Sequence, residues 1–355
     1  MSKKMYLILE NGKIFEGENF GVCKEMFGEV VFTTSMTGYL ETLTDPGNFG
    51  QIIVQTFPLI GNYGIIPSDF ESDKSYLNGY IVRNWCQEPS NFRNEGFIDT
   101  FLMQQNIVGV SGIDTRALTK VIRNHGRMLG GITDSMPSNL DEFIEKIKSH
   151  KTTDAIKSVS CSEIKNISSD KPLKTVAVYD FGVKNGVIKE LTSRGINVIK
   201  VPYNTKATDV LNMKIDGIVL SNGPSNPNDN PEIIEQIKIL ATSGKPILAL
   251  NLGHQLLALS QGGTVSELLF GHRGESVPIK SLKEGSIYQT AQNHDYYVVE
   301  GSTPNATTTY INANDNTNEG LAYDFPAISV QFCPEGGAGS LDANFIYDDF
   351  MQLLK

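Results

Sequence analysis

Lys245-Pro246-Ile247-Leu248-Ala249-Leu250-Asn251-Leu252-Gly253-His254-Gln255 is an apolar strand that runs, through one amide at its tip, into a helix. Upstream, a helix is framed by Asn230 as N-cap, Pro231 at its first position and Gly244 past its end. Further back, 217–220, 196–201 and 175–179 read as short apolar strands, with a helix near 187–193 closed by Gly195. Strand and helix alternate, which implies parallel strands joined by helical crossovers, hence a doubly wound α/β sheet. Sites in such sheets form at the carboxyl ends of strands, and Asn251 falls at one.

The first half of the chain has another rhythm. Strands at 6–9 and 13–15 flank Asn11-Gly12, a dipeptide suited to the positive-φ positions of a two-residue hairpin, and further strands follow at 29–34 and 51–56. One helix takes Asp114 as N-cap, carries Ala117, Leu118 and Val121 at helical spacing and stops before Gly126. Another covers about 140–148. The organisation expected is a mixed α+β domain over 1–150, a polar linker over 151–173 and the α/β domain over 174–355.

At 355 residues, two domains are the sensible division. The 30 basic and 40 acidic residues give a net charge of -10, which repels nucleic acid and anionic membranes over most of the surface. No apolar run approaches the ~20 residues that span a bilayer, and a cytoplasmic location is expected. Cys23, Cys86, Cys161 and Cys333 lie far apart without a CxxC pair, so neither a disulfide framework nor a zinc cluster is suggested. The histidines show no helical i, i+4 pair, and no metal is expected.

The chain carries Phe27-Gly28-Glu29-Val30-Val31-Phe32, Thr34-Ser35-Met36-Thr37-Gly38-Tyr39, Pro58-Leu59-Ile60-Gly61-Asn62-Tyr63-Gly64 and Ser111-Gly112-Ile113-Asp114-Thr115-Arg116-Ala117-Leu118 in its first half. In its second half it carries Asp180-Phe181-Gly182-Val183-Lys184, Leu220-Ser221-Asn222-Gly223-Pro224, Leu252-Gly253-His254-Gln255, Gln292-Asn293-His294 and Pro334-Glu335. With these runs it resembles, from end to end, the small glutamine-amidotransferase subunit of carbamoyl phosphate synthase. The resemblance implies a class I amidotransferase fold for 174–355 and a large-subunit contact for 1–150. It also implies glutamine hydrolysis, with ammonia passed to a large synthetase subunit that uses ATP, Mg and bicarbonate to make carbamoyl phosphate for arginine or pyrimidine synthesis. No cofactor is expected on this chain itself.

Glutamine hydrolysis on that fold needs a thiolate to attack the amide, a His to carry the proton and a carboxylate to orient the His. In the family's frame the nucleophile position falls on Asn251 and the His position on Cys333; Glu335 alone survives. A carboxamide has no thiolate-like state near pH 7, and a thiol does not replace imidazole as a positioned acid and base.

Other departures lie in separate segments. The family's Gly-Pro-Gly oxyanion loop reads Gly223-Pro224-Ser225, its Asn-His-Gly-aromatic run reads Asn293-His294-Asp295-Tyr296, and the run after Glu335 is Gly336-Gly337-Ala338-Gly339. Changes in several segments point to natural drift rather than to one engineered knockout. Ser35, Gly223, Leu252, Gln255 and Asn293 match positions that contact glutamine in the family, so glutamine stays open as a ligand.

The reading expected is a structural or regulatory subunit of an ammonia-fed synthase that has lost its glutaminase. Two alternatives stand beside it: a glutamine-sensing pseudoenzyme, and an amidotransferase relocated to Cys333 with His254, His272 or His294 as base.

Overall fold

A computed structural model of the chain describes residues 3–354. It divides into two compact units, Met1–Thr153 with Leu269–Arg273, and Asp154–Leu268 with Gly274–Lys355.

The first unit contains β1 (Lys4–Leu9), β2 (Ile14–Asn19), β3 (Met26–Thr33), α1 (Tyr39–Thr44), β4 (Gln51–Gln55), β5 (Leu59–Ile60), β6 (Gly79–Ile81), β7 (Asn84–Trp85), α2 (Ile98–Gln104), β8 (Val108–Ser111), α3 (Thr115–His125), β9 (Met128–Thr133) and α4 (Leu140–Ser149). Seven of these strands close into a barrel in the order β1-β2-β8-β6-β4-β3-β9, while β5 and β7 form a parallel ribbon. Closure satisfies every strand edge, so the barrel needs no partner strand. Alternate residues face opposite sides: Val30, Phe32, Ile52 and Val54 join Leu7, Val110 and the α3 residues Leu118 and Ile122 in one apolar cluster. Val31 and Ile53 point the other way, to Leu40 of α1 and Leu102 of α2.

The α3 cap is as read, with the Asp114 side chain accepting from Ala117 N at 2.9 Å. The first hairpin differs. Leu9 N donates to Lys13 O at 2.9 Å, which leaves a three-residue loop, and only Gly12 has positive φ (81°). Glu10 N is meanwhile used by Leu129 O of β9, so the ladder keeps hold of the chain one residue further than a two-residue turn allows.

The second unit contains α5 (Ala155–Val159), β10 (Lys165–Ile167), β11 (Lys174–Asp180), α6 (Asn185–Ser193), β12 (Ile196–Pro202), α7 (Ala207–Leu211), β13 (Gly217–Leu220), α8 (Pro231–Ala241), β14 (Ile247–Leu250), α9 (Leu252–Ser260), β15 (Val265–Ser281), β16 (Ile287–Val298), β17 (Ala306–Asn312), β18 (Asn318–Tyr323), β19 (Ala327–Val330) and α10 (Phe345–Leu353). The stretch read as a linker therefore carries α5 and β10. Ile156 and Val159 are buried and β10 adds an antiparallel edge beside β12, which ties this polar segment to the second unit.

The sheet order is β10-β12-β11-β13-β14-β19-β18-β17-β15-β16. β12, β11, β13, β14 and β19 are parallel, giving the doubly wound core. Ala177, Tyr179, Ile218, Leu220 and Ala249 meet Ile237 of α8 and Leu256 of α9 on one face. Val176, Val178, Val219, Leu248 and Leu250 meet Leu191 of α6 and Phe350 of α10 on the other. Burial on both faces is why these strands read as continuous apolar runs. Beyond β19 the sheet continues antiparallel through β18 and β17 to β15. β15 alternates buried and exposed residues over much of its length, so it offers no apolar run to read.

Candidate active site

β14 delivers Asn251 to the carboxyl edge of the parallel core, and α9 begins at the next residue. Asn251 has φ 50° and ψ -108°, a sparsely populated conformation that costs about 1–3 kcal/mol and persists only where its surroundings hold it. They do so at three points. Asn251 N donates to Val330 O of β19 at 2.9 Å, Gln255 N donates to Asn251 O at 3.2 Å, and the side-chain Nδ2 donates to Asn293 O of β16 at 3.0 Å. Gly253 lets the helix approach β13 closely, since a Cβ there would lie 2.2 Å from Leu220 O. The elbow is thus fully built, but its tip is a 5% exposed carboxamide that donates a hydrogen bond and has no thiolate to offer.

Cys333 is buried, and its backbone N donates to Ala291 O at 2.9 Å. The positions expected for nucleophile and proton carrier therefore meet the same short stretch of β16, at Asn293 and Ala291.

Glu335 is 5% exposed and pairs at 2.5 Å with Lys184 Nζ, while the Tyr347 hydroxyl donates to its other oxygen at 3.3 Å. Burial first, and the Glu335 carboxylate second, hold the Tyr347 phenol protonated. The carboxylate of Glu335 is thus occupied by a buried cation. Lys184 and Glu335 are 151 positions apart in sequence, and neither Lys184 nor Tyr347 carries a local signal of this pairing.

The loop beside the tip holds a conformation that its residue disfavours. Ser225 sits at φ 117°, a region that glycine adopts readily and L side chains rarely do. Asn230 Nδ2 donates to Ser225 Oγ at 3.1 Å and to Asn226 O at 2.9 Å, so the side chain read as the cap of α8 instead fastens this loop. Gly223 packs so closely that a Cβ would lie 2.0 Å from Phe181 O. Asn222 Nδ2 donates to Gly182 O at 3.0 Å, and Asp180 Oδ1 accepts from Gly182 N and Val183 N, which fixes the Asp180–Lys184 turn beside it. Leu252 opens α9, so its N–H has no intrahelical acceptor, as an oxyanion donor requires.

The remaining expected contacts are placed as follows. Gln255 donates to Tyr296 O at 2.8 Å and to Gln331 Oε1 at 3.0 Å, so both of its amide hydrogens serve the protein. The Tyr296 ring packs with Ala258, Val265, Val298 and Leu321. Asp295 is half-buried on β16 between His294 and Tyr296. Ser35 belongs to the first unit, just past β3, where Thr33 Oγ1 donates to its hydroxyl at 3.0 Å and Gln55 Nε2 to its carbonyl at 2.6 Å.

Two of the three candidate bases are engaged elsewhere. His254 is fully buried, with Nδ1 2.8 Å from Ser329 Oγ, and burial pushes its pKa down to about 3. His294 donates through Nδ1 to Tyr296 O at 2.8 Å. Among the described residues, no helix is long and apolar enough to cross a membrane.

Residues 7–132 match the family described as carbamoyl-phosphate synthase small chain, CPSase domain, and residues 177–353 match glutamine amidotransferase class-I. The chain is 47% identical over 350 residues to the carbamoyl phosphate synthase small chain of Clostridium perfringens, covering 98% of this chain and 99% of that one. It is 46% identical over 356 residues to the protein of the same name from Bacillus cereus, covering 99% and 96%. To that from Staphylococcus epidermidis it is 43% identical over 360 residues, covering 100% and 97%. The chain belongs to the carbamoyl phosphate synthase small chain family, and its second half is a class I glutamine amidotransferase domain.

Proposed function

We propose that this chain is a small subunit that no longer makes ammonia and instead supports a large synthetase subunit fed by free ammonia. One observation carries the reading: the elbow tip is Asn251, locked by its own amide to Asn293 O, while the surviving acid Glu335 is committed to Lys184. Attack on a glutamine amide requires a nucleophile at that tip and a base to carry the proton, whereas the tip carries the carboxamide of Asn251 and the base position the thiol of Cys333. The intact elbow and loops keep the domain folded, so it remains a body on which a synthetase partner can rest. ATP, Mg and bicarbonate chemistry belongs to that partner, in a cytoplasmic complex. The pathway served, arginine or pyrimidine, depends on the cell's other enzymes.

The test is to purify the two subunits together and compare nitrogen sources. Carbamoyl phosphate should form with ammonium and not with glutamine. Glutamine-supported synthesis at a rate matching ammonium would overturn the proposal.

A further inference from the structure

In the first unit a cleft of about 610 Å³ opens beside the start of α3, and its lining includes Arg83, Asp114, Thr115, Arg116, Lys120 and Arg123. That volume lies within the range of small-ligand sites, roughly 300–1,000 Å³. Arg116, Lys120 and Arg123 follow one another at i, i+4 and i+7 on one face of α3, while Leu118 and Ile122 occupy the buried one. Arg83 joins the group from the segment after β6, where Nη1 donates to Gly112 O at 3.2 Å and Gly112 N donates to Arg83 O at 2.9 Å.

Among the described residues, none of these four cations forms an ion pair, whereas Lys146, Lys148 and Arg93 on the same unit pair with Glu142, Glu145 and Asp69. The only carboxylate in the lining, Asp114, already accepts from Ala117 N at 2.9 Å. Like charges at i, i+4 disfavour a helix, and an anion that bonds to several of them at once removes the penalty.

Two further donors sit at the same end of the cleft. Thr115 is only 4% exposed and lines it, yet its hydroxyl has no hydrogen-bond partner among the described residues. In the first turn of α3, Thr115 N donates to Ile113 O, Ala117 N to Asp114 Oδ1 and Leu118 N to Asp114 O. Among the described residues this leaves Arg116 N without an acceptor. An open amide at a helix N-terminus, next to a buried hydroxyl and a row of cations, is a set of donors that suits a phosphate group.

We infer that this cleft binds the diphosphate group of a small molecule, either free pyrophosphate or a nucleoside diphosphate. A single phosphate is too short for the row: at about 1.5 Å per residue, Arg116 and Lys120 lie ~6 Å apart along the helix axis and Arg116 and Arg123 ~10 Å. One phosphoryl group on Arg116 N and the Thr115 hydroxyl leaves a second within the span of Lys120 and Arg123. A long polyanion fits less well, because the row ends after two turns and the chain as a whole carries a charge of -10.

The test is a calorimetric titration of the full chain with pyrophosphate, orthophosphate, ADP and adenosine, on proteins whose folding is checked by circular dichroism and melting temperature. Pyrophosphate should bind saturably with a Kd below ~1 mM, at least ~10-fold tighter than orthophosphate. R116Q/R123Q should weaken it at least ~10-fold and T115V about fivefold, while the control K146Q/K148Q on α4 stays within about twofold. ADP binding tighter than pyrophosphate would assign the nucleoside diphosphate as the source, and ADP binding no tighter would assign free pyrophosphate; both support the site. No saturable pyrophosphate binding, or equal affinity for orthophosphate, would overturn the inference. So would equal losses in R116Q/R123Q and the control, which would report overall charge, or adenosine binding as tightly as ADP. Binding of poly-glutamate by a chain that ignores pyrophosphate would overturn it in favour of an acidic polypeptide.

Discussion

Replacing Glu335 tests whether the surviving acid has become a structural group. Its side chain and that of Lys184 are 1% and 6% exposed and lie 2.5 Å apart, with the Tyr347 hydroxyl on the second carboxylate oxygen. Glu335→Ala removes the carboxylate from a buried ammonium, and breaking a buried pair from one side costs about 3–5 kcal/mol. For a domain near 200 residues this lowers the melting temperature by roughly 6–20 °C. Lys184→Met should cost a similar amount, because it leaves a buried carboxylate without its cation.

The double variant Glu335→Leu/Lys184→Met should recover most of the loss, since apolar groups of similar volume often replace a buried pair at little cost. Chemical denaturation of the parent, Glu335→Leu, Lys184→Met and the double variant gives the cycle directly. The reasoning fails if Glu335→Ala melts with the parent, or if the two single losses simply add in the double variant.

Two further outcomes are expected. His254 should make the fold acid-sensitive: its pKa is near 3 when folded and about 6.5 when unfolded, so the unfolded chain takes up a proton that the native state refuses. The stabilisation is complete above pH 6.5 and is lost on acidification at up to ~1.4 kcal/mol per pH unit, a slope that His254→Gln should remove in denaturation series at several pH values. Restoring the missing chemistry with Asn251→Cys and Cys333→His should give measurable ammonia release, with the double variant exceeding Asn251→Cys alone by ~100-fold or more, the usual contribution of a positioned base.

The sequence disclosed the parallel core because strands such as 217–220 and 247–250 are buried on both faces and carry apolar residues without interruption. It disclosed α3 and the elbow because their signals, Asp114 as cap and a strand feeding Leu252-Gly253, are local. It did not disclose β15 to β18, whose half-exposed residues give no clean periodicity, or the barrel closure, which depends on pairings such as β2 with β8 that join residues about ninety positions apart. At the site, residue types at the tip were legible, whereas the Lys184 and Glu335 pair and the locking of Asn251 onto Asn293 arise only when distant segments meet. Asn230 shows the same limit: its place before Pro231 reads as a cap, yet its side chain serves the Ser225 loop.

The most direct measurement is ammonia release from glutamine by the purified chain, alone and with its synthetase partner, in a coupled assay calibrated with a functional amidotransferase. The account predicts release no faster than the buffer blank under both conditions. Sustained turnover on the order of one per second, an ordinary enzymatic rate, would mean that another group makes the attack and would contradict it.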